Sequence, residues 1–146
     1  MYEHILVPTD GSDGTDAAVD HAIDLAETYD AALHTIYVVD ANVGADAGVA
    51  NVYANLEQAG ERAVQDVVDR AEAAGVETVE GAVAEGVPHR AILDYAEQRD
   101  VDLIVMGTHG RTGLDRYLLG SVAEKVVRLS DVPVMTVRMP AAETEE

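Results

Sequence analysis

Apolar positions along this chain follow two alternating rhythms. Ile5-Leu6-Val7 is a continuous apolar run closed by Pro8, the pattern of a strand buried on both faces. Helical spacing follows, with Ala18, Ala22, Leu25, Ala26 and Tyr29 on one side and Asp16, Asp20, Asp24 and Glu27 on the other. Leu33 to Val39 reads as a second strand, and Asp40 to Ala50 as a weakly patterned loop with two glycines. Val52 to Ala74 carries Leu56, Val64, Val67, Val68 and Ala71 on one face, a long helix ended by Gly75. Val76 to Val83 reads as a third strand, placed at a sheet edge by Glu77 and Glu80. Pro88 suits the first turn of a helix with Ile92, Leu93 and Ala96 inside. Leu103 to Met106 is a fourth strand, Ser121 to Leu129 a last helix, and Val132 to Val137 a fifth strand.

Strands alternating with helices imply right-handed βαβ units and a parallel sheet covered on both faces. The most apolar strands, those ending at Pro8 and Met106, belong at the centre. The expected fold is therefore a single doubly wound α/β domain, a five-stranded parallel sheet of order 3-2-1-4-5. Its switch point lies between the first and fourth strands, and ligands of such sheets bind there, beyond the strands' carboxyl ends. That places Thr9 to Ser12, Val38 to Asp40 and the segment from Gly107 under scrutiny. Residues 1–139 form the expected domain, and 140–146 an acidic disordered tail.

Composition narrows the function. Six Tyr with no Phe or Trp leave Val, Leu, Ile and Ala to build the core. No apolar run reaches the ~20 residues of a membrane span, and Met1-Tyr2-Glu3-His4 lacks the basic start of a signal peptide. Without cysteine there are no disulfides or thiolate sites, and the cytoplasm is the expected compartment. A formal charge of -19 argues against nucleic acid as a partner, which calls for a basic footprint. Acid excess with Lys125 as the single lysine suits a salt-rich cytoplasm, where ions screen self-repulsion.

The segment Gly107 to Ser121 carries the chemistry. Glycines at 107, 110, 113 and 120 let backbone approach a ligand, and Gly120 directly precedes a helix start. Exposed N–H groups and the helix dipole there make an anion site without a cationic side chain. Around it stand Arg111, Arg116, Lys125 and Arg128 against only Asp115 and Glu124, a basic patch on an acidic chain. The plain structural reading is that Ser121 and Glu124 form a capping box. Neither the G-x-x-x-x-G-K-[ST] loop nor the G-x-G-x-x-G fingerprint is present. Asp10-Gly11-Ser12 reads either as a turn that caps the next helix or as part of the site. His109 in its polar loop suits a surface residue, and His4, His21, His34 and His89 lack the spacing of a metal site. A receiver domain is excluded because Val83-Ala84-Glu85 offers no acceptor aspartate, and a flavin site because no Trp or Phe can stack.

The spacing G-x2-G-x9-G-S, filled by Gly107, Gly110, Gly120 and Ser121, resembles the ATP-binding signature of the universal stress protein family. Ile5 to Ser12, Asp102 to Gly110, Gly120 to Val127 and Val132-Pro133-Val134 resemble that family too, so the likeness covers essentially the whole chain. The resemblance implies an adenine nucleotide, ATP or else AMP or ADP, with Mg²⁺ or Mn²⁺ carried by its phosphates. It implies that Asp10 faces the ribose or a metal beside it and that the Val38–Val39 backbone reads the adenine edge. Gly107, His109, Gly110, Gly120, Ser121 and Val122 would line the phosphates, with Pro8, Thr9 and Met106 as walls. Ala123 departs from the pattern where some members offer a hydroxyl. No catalytic residue is assigned, since phosphoryl transfer needs a positioned base and cations that the loop lacks in lysine form. The implied role is a nucleotide-responsive stress regulator; a scaffold with a vestigial site and a slow ATP hydrolase are the competing readings. Members usually dimerise, and the apolar strand Val132 to Val137 at a sheet edge calls for a second copy unless a loop or the tail covers it.

Overall fold

The computed structural model describes residues 2–40, 50–108 and 120–138. The chain runs β1 (His4–Pro8), α1 (Asp13–Tyr29), β2 (Ala32–Asp40), α2 (Ala50–Ala74), β3 (Val79–Gly86), α3 (Pro88–Gln98), β4 (Leu103–Gly107), α4 (Ser121–Leu129) and β5 (Val134–Val137). The strands form one five-stranded sheet of order β3-β2-β1-β4-β5, with every pairing parallel, as expected.

Alternation along each central strand divides the core into two layers. Ile5, Val7, Leu33, Leu103 and Val105 pack against Ala18, Ala22, Ala26 of α1 and Val67, Ala71 of α2. Leu6, Ile36, Ile104 and Met106 face the other way, against Ile92, Tyr95, Ala96 of α3 and Ala123, Val126 of α4. Both faces of β1 and β4 are thus removed from water, which is why their sequences are unbroken apolar runs. Each such Leu, Ile or Val contributes on the order of 1.5–3 kcal/mol by burial. Tyr37, Val39 and Val64 form a smaller third cluster under α2.

Two strand starts and one helix cap differ most from the sequence reading. The third strand begins at Val79 rather than Val76. Gly75 turns at φ 103°, its N–H donates to the Glu72 carbonyl, and the Val76 N–H donates to the Ala71 carbonyl. Val76 is buried as the apolar residue that locks this helix end, so its hydrophobicity serves α2 and not the sheet. The last strand begins at Val134, because Val132 and Ser130 close a turn on each other and Pro133 has no N–H to offer. The capping box is absent: Gly120 is the N-cap of α4, Ser121 is its first helical residue, and no side chain caps it. Shorter corrections extend β2 by one residue at each end and start α2 at Ala50. The Asp40-to-Ala50 loop and the 140–146 tail fall, but for their described end residues Asp40 and Ala50, outside the described residues.

Candidate functional site

The crevice forms where β1 and β4 end side by side. The register pairs Ile5 with Leu103 and Leu6 with Ile104, so Pro8 and Gly107 finish at one level. Beyond Pro8 the Thr9 N–H still reaches the Ile36 carbonyl of β2 at 2.9 Å. Thr9 is buried, and its hydroxyl accepts from the Gly11 N–H at 3.1 Å and meets the Thr15 hydroxyl at 3.3 Å. Asp10 then closes a tight turn, its Oδ1 accepting from both the N–H (2.9 Å) and the hydroxyl of Ser12. Ser12 is the N-cap of α1, but its hydroxyl donates to Asp10 and makes no cap bond. Asp10 thus shapes the turn without capping α1, and it also lines the cavity.

On the other side, Thr108 is fixed by its N–H to the Val137 carbonyl (3.1 Å). The Gly120 N–H donates to the Thr108 carbonyl at 2.6 Å, which brings the start of α4 back to the end of β4. The first intrahelical bond runs from the Glu124 N–H to the Gly120 carbonyl. The N–H groups of Ser121, Val122 and Ala123 therefore have no acceptor within the helix, and all three residues line the crevice. With the helix dipole behind them they form a positive, backbone-built cradle.

Between these two edges lies a cavity of about 450 Å³. It is lined by ten of the twelve expected site residues: Pro8, Thr9, Asp10, Val38, Val39, Met106, Gly107, Gly120, Ser121 and Val122. His109 and Gly110 lie outside the described residues. Hydrogen bonding along β2 alternates: Ala32 and Ile36 face β1, whereas Leu33 faces β3. Val38 continues the β1-facing set, but the β1–β2 pairing ends at Pro8 and Ile36. Its N–H and C=O therefore project past the end of β1, a donor and an acceptor side by side at the cavity.

Several lining residues were not singled out in the sequence, although Asp40 stood within the inspected strand end and Ala123 was noted as a departure from the family pattern. Ile36 and Ile92 form apolar walls with Pro88, and Leu56 and Tyr37 add the α2 side. Thr15, Asp40, Thr108 and Ala123 complete the rim. Ile36 and Ile92 had read as core, which they also are. Asp40, at the end of the second strand where the sequence placed the switch point, does line the cavity. Ala123 is buried and presents only a methyl, so the cradle there rests on backbone alone. Among the described residues no group of three or more His, Asp or Glu is placed to hold a metal ion. No helix among them is long and apolar enough to cross a membrane.

A doubly wound parallel sheet with a largely apolar crevice at its switch point, floored by a helix N-terminus, is the α/β architecture in which ligands are held at that crevice. Comparison with known proteins makes the assignment sharper. The universal stress protein family matches residues 1–138, and the chain belongs to it. Universal stress protein MJ0531 of Methanocaldococcus jannaschii is 43% identical over 147 residues, covering 98% of this chain and 86% of its own. The solved structure of MJ0577, from the same organism, superposes with a TM-score of 0.83 at 30% identity, covering 94% of this chain and 96% of that one. A universal stress protein solved in complex with cAMP superposes at 0.70 with 31% identity, covering 94% and 98%.

Proposed function

We propose that this protein is a cytoplasmic stress-response regulator that binds an adenine nucleotide, ATP foremost, in the switch-point cavity. The observation that carries the reading is the joint presence of two features of the right chemistry at opposite ends of one cavity. Val38 offers an N–H and a C=O side by side, the complement of an adenine edge with its ring acceptor and amino donor. Gly120, Ser121 and Val122 offer the start of a helix, the complement of phosphate. Pro8, Thr9 and Met106 wall the space between, where Asp10 would face the ribose and Gly107 the phosphates, a role the family resemblance extends to His109 and Gly110, which lie outside the described residues. The relative solved with cAMP supports an adenine ligand in this fold.

A divalent cation, Mg²⁺ or Mn²⁺, fits only as a passenger on the phosphates. The described residues hold no ligand cluster of their own, and Asp10 is the one expected site residue with a carboxylate to lend it. The metal would neutralise phosphate charge beside an acidic chain. Hydrolysis is expected to be negligible, because the Gly107–Ser121 loop carries no lysine and no clear general base is present for phosphoryl transfer. Ala123, with its methyl in the cradle, keeps the scaffold reading alive as the alternative. The protein is proposed to work as a homodimer through the last strand, Val132 to Val137. The sheet ends there in β5, a strand without a charged residue whose Met135 is 38% exposed among the described residues.

The direct test is to denature the purified protein and identify what it releases by mass spectrometry. An adenine nucleotide at near-stoichiometric yield is the expected result. A different class of molecule occupying the site would sink the reading.

A further inference from the structure

Between the end of β1 and the first turn of α1 runs a short chain of buried hydroxyls whose protons fit in only one order. Thr9 and Thr15 are 6% and 9% exposed, and both line the cavity. The Thr15 hydroxyl donates to the Ser12 carbonyl at 3.0 Å. A hydroxyl carries one proton, so at the 3.3 Å contact between the two threonines Thr15 accepts and Thr9 donates. Thr9 in turn accepts from the Gly11 N–H at 3.1 Å. The bonds therefore run from Gly11 to Thr9, from Thr9 to Thr15 and from Thr15 to Ser12, a ring that closes through the adjoining residues Gly11 and Ser12.

That ring holds the turn from which Asp10 projects. Gly11 stands at φ 78°, one of several conformations open to glycine, so side chains must fix the turn. Two do so: Asp10 takes the Ser12 N–H, and Thr9 takes the Gly11 N–H. Thr9 is itself anchored to the sheet, its N–H donating to the Ile36 carbonyl at 2.9 Å. Its hydroxyl keeps the orientation that Gly11 needs because its own proton has an acceptor in Thr15. With a methyl in place of that acceptor, a buried O–H loses its partner, which costs more than an ordinary hydrogen bond contributes. Thr9 then turns toward another acceptor, the Gly11 N–H is released, and the turn that aims Asp10 loosens.

We propose that Thr15 is a positioning residue for ribose recognition: through Thr9 it fixes the Gly11 turn, and through that turn the direction of the Asp10 carboxylate. The inference rests on the reading above that Asp10 faces the ribose of an adenine nucleotide. Its effect is confined to the ribose. The adenine edge would be held by Val38 on β2 and the phosphates by the start of α4, and neither belongs to the turn. Thr15 acts from within the turn, since its hydroxyl and its N–H both donate to the Ser12 carbonyl.

Calorimetry with ATP and with 2′,3′-dideoxy-ATP, which lacks both ribose hydroxyls, reads this preference directly. A hydrogen bond to a carboxylate should make the wild type prefer ATP by roughly tenfold or more. Thr15→Val, nearly the same shape, should lower the affinity for ATP more than that for the dideoxy nucleotide, cutting the preference to about threefold or less. Thr15→Ser keeps the hydroxyl and should keep the preference. Hydrogen exchange of the ligand-free protein adds a readout without nucleotide: the Gly11 N–H should exchange faster in Thr15→Val than in the wild type or Thr15→Ser. The role of Thr15 is overturned if Thr15→Val keeps the wild-type preference, weakens both nucleotides in parallel or leaves Gly11 exchange unchanged, or if Thr15→Ser behaves like Thr15→Val. Equal affinity of the wild type for the two nucleotides overturns the ribose reading of Asp10 and, with it, this role.

Discussion

Gly60→Ala sets two known effects against each other at the cavity's edge. Gly60 lies inside α2, where Ala is favoured over Gly by about 1 kcal/mol. Taken alone, that says the variant should be stabilised. Yet a Cβ built on Gly60 would stand 2.6 Å from Cδ1 of Tyr37 and 3.0 Å from two further ring carbons. Relaxed carbon contacts lie near 3.5–4.0 Å, so the ring must yield by about 1 Å. Tyr37 is only 4% exposed and lines the cavity, so the ring can yield only by leaving its packed place and crowding that space. Overpacking of this kind costs roughly 1–3 kcal/mol, so the net expectation is a loss of about 1 kcal/mol. The decisive assay is urea denaturation of four proteins: wild type, Gly60→Ala, Tyr37→Ala and the double variant. With the ring removed, the clash disappears and Gly60→Ala should turn stabilising by about 1 kcal/mol. The same sign in both backgrounds would refute the claim that the glycine exists to admit the ring.

Two further outcomes follow from charge and from the edge. Arg70 of α2 is ion-paired with Asp16 and Asp20 of α1 and with Asp66, all on the surface of a chain of net charge -19. Arg70→Ala should cost at most about 1 kcal/mol at low salt and almost nothing in molar salt, read by thermal unfolding at both; a salt-independent loss would count against a screened surface role. Met135→Asp should convert a proposed dimer to monomer by light scattering, more completely at low salt, and a wild type already monomeric at micromolar concentration would remove the basis for that variant.

Much of the fold was legible because the central strands are buried on both faces. Ile5 to Val7, closed by Pro8, and Leu103 to Met106 could be read as strands, and as central ones, from continuous apolarity alone. The misread boundaries share a cause: an apolar residue does not say which neighbour it packs against. Val76 caps a helix and Val132 sits in a turn, though each looks like the start of the strand that follows. In the site, the glycines and the strand-end residues were legible because backbone approach and chain reversal need particular residues. The apolar walls were not. Ile36, Ile92 and Leu56 look the same in sequence whether they touch a cavity or another side chain. The hydroxyl pair of Thr9 and Thr15 was equally hidden, since the two meet only when the turn brings the start of α1 back to the end of β1.

The central claim is that the cavity binds ATP through the start of α4, and calorimetry with wild type and Gly120→Val tests it most directly. Gly120 has φ -64° and ψ 159°, a conformation open to valine, and its N–H bond to the Thr108 carbonyl survives the substitution. The variant should therefore fold while its side chain fills the phosphate cradle. Saturable Mg·ATP binding to the wild type, lost in a folded Gly120→Val, is the expected result. Equal affinity in the two proteins, or no binding heat from nucleotide-free wild type, would contradict it.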